Sequence, residues 1–433
     1  MKTIKKEDKT MAAKFLKNPS LAAKILYAMI LGLIFGFIFK GAYSTWGPVL
    51  APFGTLFIRL LKMCIIPLVF FSIVAGISTM ADLSRVKKVG LIFGSYWFIA
   101  SLIAAGCGLV WALILRPGVG ITIPGDVVAP QVKTDVVGNL LAWVPDNIGK
   151  MFVDPNYIQI IVFAMFVGIA TAVIGKTDAG KALARVFAGA NEMTIKIVEI
   201  VMKYAPIGVF CLIADVAGTL GKEVLTGLGL MLITQYVAYL SVFVIVYPIA
   251  LKLIARVGVV QFYRNIYPAM LVAFSTCSSG ATLPVTMKVN KERAGVPEDI
   301  VNMVAPPGAT INMHAVCAEM AIYVIFAAQI YKLDLSVGQM IFTMFLAVVA
   351  AAGTAAVPGG GIIMSAIMLG TMGLPLTIVP WIAGIYRLID MPNTMLNVTD
   401  DSVGMVMTAS LMGELDRDLY NSKTKRMKEG LAA

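Results

Sequence analysis

Long apolar runs separated by short polar loops set the pattern of this chain. Such runs recur at residues 21–41, 48–80, 88–115, 152–175, 191–219 and 224–255. Each matches or exceeds the roughly 20 residues that carry an α-helix across a bilayer. Several are long enough to require tilt or a bend, and Pro67, Pro206 and Pro248 mark places for one. The first run follows a basic segment and is long enough to span. No small-residue cleavage site stands out after it, so it reads as a retained helix.

Charge between the runs predicts their orientation. Lys2, Lys5, Lys6, Lys9, Lys14 and Lys17 precede the first run; Arg85, Lys87 and Lys88 follow the second; Lys176, Lys181 and Arg185 follow the fourth; Lys252, Arg256 and Arg264 follow the sixth. Basic loops stay on the cytoplasmic side, which places the N-terminus there. The longest connection, residues 116–156, mixes Asp126, Asp135, Asp146 and Asp154 with several prolines and reads as an irregular external loop.

Beyond the sixth run the alternation fails. Residues 267–287 are apolar enough to enter a membrane, yet their middle, 275–284, is rich in Ser, Thr and Gly, and basic residues flank both ends. That predicts a re-entrant hairpin, which is tolerated at membrane depth only when it is buried in protein. A span at 297–331 follows, interrupted by Gly308-Ala309-Thr310-Ile311-Asn312-Met313-His314. Residues 337–373 carry a second glycine-rich interruption at 353–361 with no basic cluster after it, a hairpin entering from outside. The last span, 378–411, is interrupted from Asp390 to Asp401 and precedes Lys423, Lys425, Arg426 and Lys428, so the C-terminus is cytoplasmic. A hairpin and a broken helix from one side, repeated from the other, is the inverted-repeat architecture of a secondary transporter.

Composition removes other classes. Hydrophobic residues make up 59% and charged residues 14% of the chain, unlike a soluble domain. The net charge of +11 lies in loop clusters and not on a nucleic-acid-binding face. Cys64, Cys107, Cys211, Cys277 and Cys317 stand singly in apolar runs, as packing residues do. The chain has no Gly-x-x-x-x-Gly-Lys-Ser/Thr loop to hold nucleotide phosphates, which argues against an ATP-driven pump.

Candidate chemistry sits in the interruptions. Asp390, Asn393, Asn397 and Asp401 recur at spacings of three and four, on one helical face. Pro392 removes a backbone donor there and should free carbonyls for a ligand. Buried carboxylates need a cation: Arg387, a metal ion or a substrate ammonium. Asp401, Asn397, Asn312 and the carbonyl near Gly308 make an all-oxygen set suited to sodium. Ser278 and Ser279 offer hydroxyls and free N–H groups to a carboxylate. Together these describe an amino-acid site. His314, the only histidine, and Glu319 are candidate proton carriers, or else polar groups paired inside the bundle. A Ser–His protease dyad is the competing enzymatic reading, and it leaves Asp390 and Asp401 without a purpose.

The chain resembles, through most of its length and most densely from about Ser278 to Gly404, the glutamate transporter family of dicarboxylate and amino-acid cation symporters. The likeness is carried by Ser278-Ser279 with Thr282-Leu283-Pro284-Val285-Thr286, Gly308-Ala309-Thr310-Ile311-Asn312-Met313, Gly353-Thr354 with Val357-Pro358-Gly359, and Asp390-Met391 with Thr394-Met395 and Asn397-Val398-Thr399. The resemblance implies an all-α polytopic membrane protein with eight transmembrane helices, two re-entrant helical hairpins and discontinuous helices 7 and 8. It implies a homotrimer in an inner (plasma) membrane and no organic cofactor. A cytoplasmic segment, 1–18, leads into scaffold at 19–80 and 152–220. Transport-domain segments at 85–116 and 221–415, an external loop at 117–151 and a cytoplasmic tail at 416–433 complete the expectation. The transport domain is expected to move against the scaffold like an elevator.

By residue, the resemblance implies Asp390 for the substrate amino group, Asn397 and Ser279 for its carboxylate, and a Val357 carbonyl at an external gate. Cys277, Ser278, Val316, Asn393 and Thr394 complete the implied substrate contacts. Gly308, Asn312, Asn397 and Asp401 match one sodium site; Thr310 and Met313, with carbonyls near Ala351, Ala352 and Thr354, match a second. The chain also departs from the pattern. Asn393 stands where members for acidic substrates have arginine, and Val316 where they have threonine. His314 replaces an aspartate, and Trp97 and Ala100 replace a tyrosine and a threonine, which leaves only Ser101 of a third sodium site. Glu319 lies one residue before a position where some members carry a proton. The expectation is sodium-coupled, or in part proton-coupled, symport of a neutral amino acid. The alternatives are cystine or an acidic substrate held by Arg387, and, outside the class, a channel.

Overall fold

The structure, a computed structural model, describes residues 21–78, 83–121, 141, 144–153, 157–219, 222–354 and 356–422. The basic N-terminal segment, most of the long external loop, Ala355 and the basic tail from Lys423 lie outside the described residues. Every regular element described is helical. In chain order they are α1 Leu21–Ile38, α2 Tyr43–Ser78, α3 Leu83–Leu115, α4 Ile148–Val153, α5 Tyr157–Val173, α6 Asp178–Thr219 and α7 Lys222–Ser241. There follow α8 Val259–Thr276, α9 Ser279–Glu292, α10 Glu298–Ile311, α11 His314–Ile330, α12 Val337–Ala352, α13 Gly360–Thr371, α14 Val379–Leu411 and α15 Arg417–Asn421. Among the described residues five helical stretches, 40–78, 88–115, 178–219, 224–254 and 298–330, are long and apolar enough to cross a membrane.

The prolines act locally. Pro206 is absorbed within α6 and Pro67 within α2. α7 runs on to Ile254 through two π-helical pieces, Val242–Val246 and Ala250–Ile254, on either side of Pro248. The wider turns accommodate the donor that proline lacks.

Two groups of helices emerge from the packing. α6 packs against α1 and α2, and α2 also against α5. Their outward faces remain apolar: Leu31 is 57% exposed, Phe166 63% and Ile200 59%. α11 is the inverse, with nearly every residue buried between α3, α7, α12, α13 and α14. A helix that is apolar on all sides needs such a sheath.

The structure corrects the expected interruptions in three places. α14 is one continuous helix from Val379 to Leu411, so the expected discontinuous helix 8 is not found. Pro392 cannot donate to the Leu388 carbonyl four residues earlier, but Tyr236 Oη of α7 does so at 2.8 Å. That carbonyl is therefore taken by protein and not left for a ligand. Helix 7 does break, between Ile311 and His314, with Asn312 and Met313 non-helical. The polar tip expected over 275–284 shrinks to Cys277 and Ser278, because Ser278 caps α9 by accepting from Ala281 N and the helix continues through Pro284. The second pair, α12 and α13, is joined by residues 353–359.

Candidate functional site

The two tips meet. Ser278 Oγ donates to the Ala356 carbonyl at 2.7 Å, and Gly280 N donates to the same oxygen at 3.1 Å. Cys277 turns the chain with a φ of 54°, which lets α9 start so close to α8. The Ser278 hydroxyl is thus spent on the opposite tip. Cys277 and Ser279 line the cavity beneath, together with Met313, Val316, Thr354, Val357, Asp390, Asn393, Thr394 and Asn397. The space is about 20 Å³, enough for a water and too small for an amino acid, so a ligand requires the tips to part.

α14 supplies the polar wall. Asp390 Oδ2 accepts from Gly359 N at 3.1 Å, and Oδ1 from Thr394 Oγ1 at 3.3 Å. Two helical turns beyond Asp390, Asn397 Oδ1 accepts from Ala315 N at 2.9 Å and Asn397 Nδ2 donates to Asn393 Oδ1 at 2.8 Å. Asn393 Nδ2 in turn donates to Glu319 Oε2 and to Tyr239 Oη. Arg387 does not line this cavity but lies beside Asp390 on the far side of the wall, with Nη2 donating to the Ser275 carbonyl at 3.2 Å.

Beneath lies an oxygen-rich cluster. Asn312 Nδ2 donates to Asp401 Oδ1 at 3.0 Å, both residues are buried, and Asn312 Oδ1 has no partner. Gly308 allows this approach, since a Cβ there would stand 2.7 Å from Asp401 Oδ1. An unpaired amide oxygen beside a buried carboxylate suits a hard cation. The other expected cation set is less assembled. Met313 and Thr354 face the common cavity, but Thr310 Oγ1 donates to the Pro307 carbonyl, and the Ala351 carbonyl accepts from Thr354 N. Ala352 ends α12 directly before Gly353.

His314 occupies a separate, fully buried cluster. Its Nδ1 lies 2.8 Å from Asp400 Oδ1, which also accepts from Tyr96 Oη at 2.6 Å. Sequence reasoning placed Trp97 here and assigned no role to Asp400; the neighbouring Tyr96 provides the ring and hydroxyl. Tyr239 and the Ala356 carbonyl were missed as well. Their partners lie 80 and 78 residues away along the chain, so no local spacing announces them. With His314 on Asp400 and Ser278 on Ala356, the serine–histidine dyad of a protease does not form.

The comparisons decide the family. The model of the sodium:dicarboxylate symporter family matches residues 21–411. The chain belongs to that family. It is 32% identical over 405 residues to the proton/sodium-glutamate symport protein of Bacillus subtilis (strain 168), covering 91% of this chain and 93% of the relative. It is 30% identical over 414 residues to the proton/glutamate-aspartate symporter of Escherichia coli (strain K12), covering 92% and 94%. A C4-dicarboxylate transport protein of Rhodospirillum rubrum is 30% identical over 417 residues, covering 93% and 92%. This symporter is therefore an integral membrane transporter, as its apolar helices already indicate.

Proposed function

We propose that this symporter couples sodium, and in part protons, to the uptake of a neutral amino acid across the inner (plasma) membrane. Asp390 takes the ammonium, displacing the Gly359 N–H that it now holds. Ser279 and Asn397 take the carboxylate. The observation that carries the substrate reading is Asn393. It stands where the resemblance puts an arginine, and its amide is bonded to Glu319, Tyr239 and Asn397. A site of that kind has no guanidinium to pair a second carboxylate.

Sodium is cargo in this reading, and Asp401, Asn312, Gly308 and Asn397 hold it, supported by the unpaired Asn312 oxygen. A second ion lies by Thr310, Met313, Thr354, Ala351 and Ala352. The third sodium site that the resemblance implies is lost in this reading, and His314 lies against Asp400 at 2.8 Å. Eight spans and two re-entrant hairpins, α8–α9 and α12–α13, make up each subunit of a homotrimer with cytoplasmic termini. α1, α2, α5 and α6 form the scaffold and the remaining spans the moving transport domain, a division supported by the way these helices pack.

A second reading is an acidic substrate, favoured by relatives whose names specify glutamate, aspartate and C4-dicarboxylates. It needs a base, and Arg387 is bonded to Ser275. A thermal-shift screen of the common amino acids and dicarboxylates, with and without sodium, tests both, because a ligand that binds the folded state raises its apparent stability. Stabilisation by neutral amino acids that requires sodium supports the first reading. Stabilisation by aspartate, glutamate or succinate alone establishes the second. Uphill uptake in proteoliposomes separates a carrier from a channel.

A further inference from the structure

Four side-chain hydroxyls line the cavity beneath the tips, those of Ser279, Thr354, Tyr386 and Thr394. Two are committed: Thr354 Oγ1 donates to the Ala350 carbonyl at 3.4 Å and Thr394 Oγ1 to Asp390 Oδ1 at 3.3 Å. The reading above gives Ser279 to the ligand carboxylate. An amide carries two N–H donors and one carbonyl acceptor, and those of Asn393 are already bonded to Glu319, Tyr239 and Asn397. Tyr386 remains.

Tyr386 stands on α14 one helical turn before Asp390 and on the same face. It is only 3% exposed, and among the described residues its hydroxyl has no hydrogen-bond partner. A glycine makes room for that hydroxyl: a Cβ on Gly361 of α13 would stand 2.1 Å from Tyr386 Oη. Glu319 touches the same glycine from α11, but it does not line the cavity and forms no hydrogen bond with Tyr386. Tyr386 also borders a second small cavity, on the side of Ile25, Phe57 and Met202 of α1, α2 and α6. Gly361 lines the first cavity and not the second, so the ring divides the two spaces with its hydroxyl end on the ligand side. A ligand that fills the first cavity either brings a polar atom to this buried hydroxyl or leaves it unpaired at a cost.

We propose that Tyr386 recognises the substrate side chain, and that this side chain is short and ends in a hydroxyl, as in serine or threonine. The inference rests on the reading above, that the α14 face binds a neutral amino acid. Tyr386 presents a single O–H, which one hydroxyl matches. A side-chain amide would leave N–H donors unpaired, a carboxylate would leave an oxygen and a charge uncompensated, and an alkyl group would leave Tyr386 itself unpaired. A site that bonds a substrate hydroxyl discriminates strongly against the analogue that lacks it. The ring sets the length, because a longer side chain runs into the partition.

Serine against alanine and threonine against valine test it, each pair being similar in shape and differing in the hydroxyl. Dissociation constants are measured calorimetrically in sodium on the purified full-length protein in nanodiscs. Wild type should prefer serine to alanine by about tenfold or more, and threonine to valine in the same direction. Tyr386→Phe keeps the ring and removes the hydroxyl, and should reduce the preference for serine to about twofold or less, chiefly by weakening serine. A residue that only packs α13 against α14 would weaken all four ligands together and leave the ratios unchanged. Unchanged ratios in a folded Tyr386→Phe therefore overturn the proposal. So does a wild type that binds alanine as tightly as serine, or one that prefers asparagine to both serine and threonine. If Tyr386→Phe does not fold, the wild-type ratios decide by themselves. A wild type that binds acidic ligands and no neutral amino acid establishes the second reading above instead, and the proposal falls with the first. Failure to bind any amino acid, with or without sodium, removes the underlying site reading and the proposal with it.

Discussion

Gly308→Ala tests the cation site without touching a charged group. The new Cβ would stand 2.7 Å from Asp401 Oδ1 and 3.2 Å from its Cγ, so the carboxylate must retreat by about 0.7 Å to reach ordinary contact. Asp401 is buried on a continuous helix and is held to Asn312 at 3.0 Å, so a retreat stretches or breaks that bond. A hydrogen bond to a charged group contributes roughly 1.5–3 kcal/mol. If sodium needs both oxygens in place, its apparent affinity should fall by about ten- to a hundredfold. The assay is the sodium concentration that gives half-maximal ligand-dependent stabilisation, measured on purified protein. Gly90→Ala is the matched control, since nothing lies within 4 Å of a Cβ there. Gly308→Ala with wild-type sodium dependence would refute Gly308, Asn312 and Asp401 as a cation site.

Other outcomes follow from the same geometry. Asp401→Asn should abolish the sodium dependence of amino-acid binding; a surviving sodium response measured by calorimetry moves the site elsewhere. Tyr236→Phe should cost about 1–3 kcal/mol, seen as a melting temperature lowered by about 1–3 °C, because it strands the Leu388 carbonyl that Pro392 cannot satisfy. Asn393→Arg should do little for aspartate alone, since the guanidinium would pair with Glu319. Asn393→Arg with Glu319→Gln should improve aspartate binding by about a hundredfold, and equal gains from single and double variants count against that pairing.

Most of the architecture was legible in the sequence because membrane helices declare themselves by length and polarity. The break before His314 and the turns near Ser278 and Gly353 were found from polar residues in apolar runs. Helix α14 was misread for a physical reason. Its polar residues fall on one face and satisfy each other at i and i+4, as Asp390 with Thr394 and Asn393 with Asn397 do, so the helix survives Pro392. Partner choice was the hidden part. Nothing near Asp400 in sequence points to Tyr96, 304 residues earlier, and nothing near Asn393 points to Tyr239. Contacts between distant helices arise from packing, and periodicity reports only which face is polar.

The shared carbonyl of Ala356 makes the two tips energetically equivalent in one respect. Its bonds to Ser278 and Gly280 are lost whichever tip withdraws, so they favour neither side. Beyond that shared carbonyl, each tip also has a bond of its own to α14: Arg387 holds Ser275 on one, and Asp390 holds Gly359 on the other. Two oppositely charged residues three positions apart on α14 thus each hold one tip. An ammonium that captures Asp390 would cut the Gly359 tether and leave the Arg387–Ser275 bond intact, so ligand binding would loosen one tip and not the other.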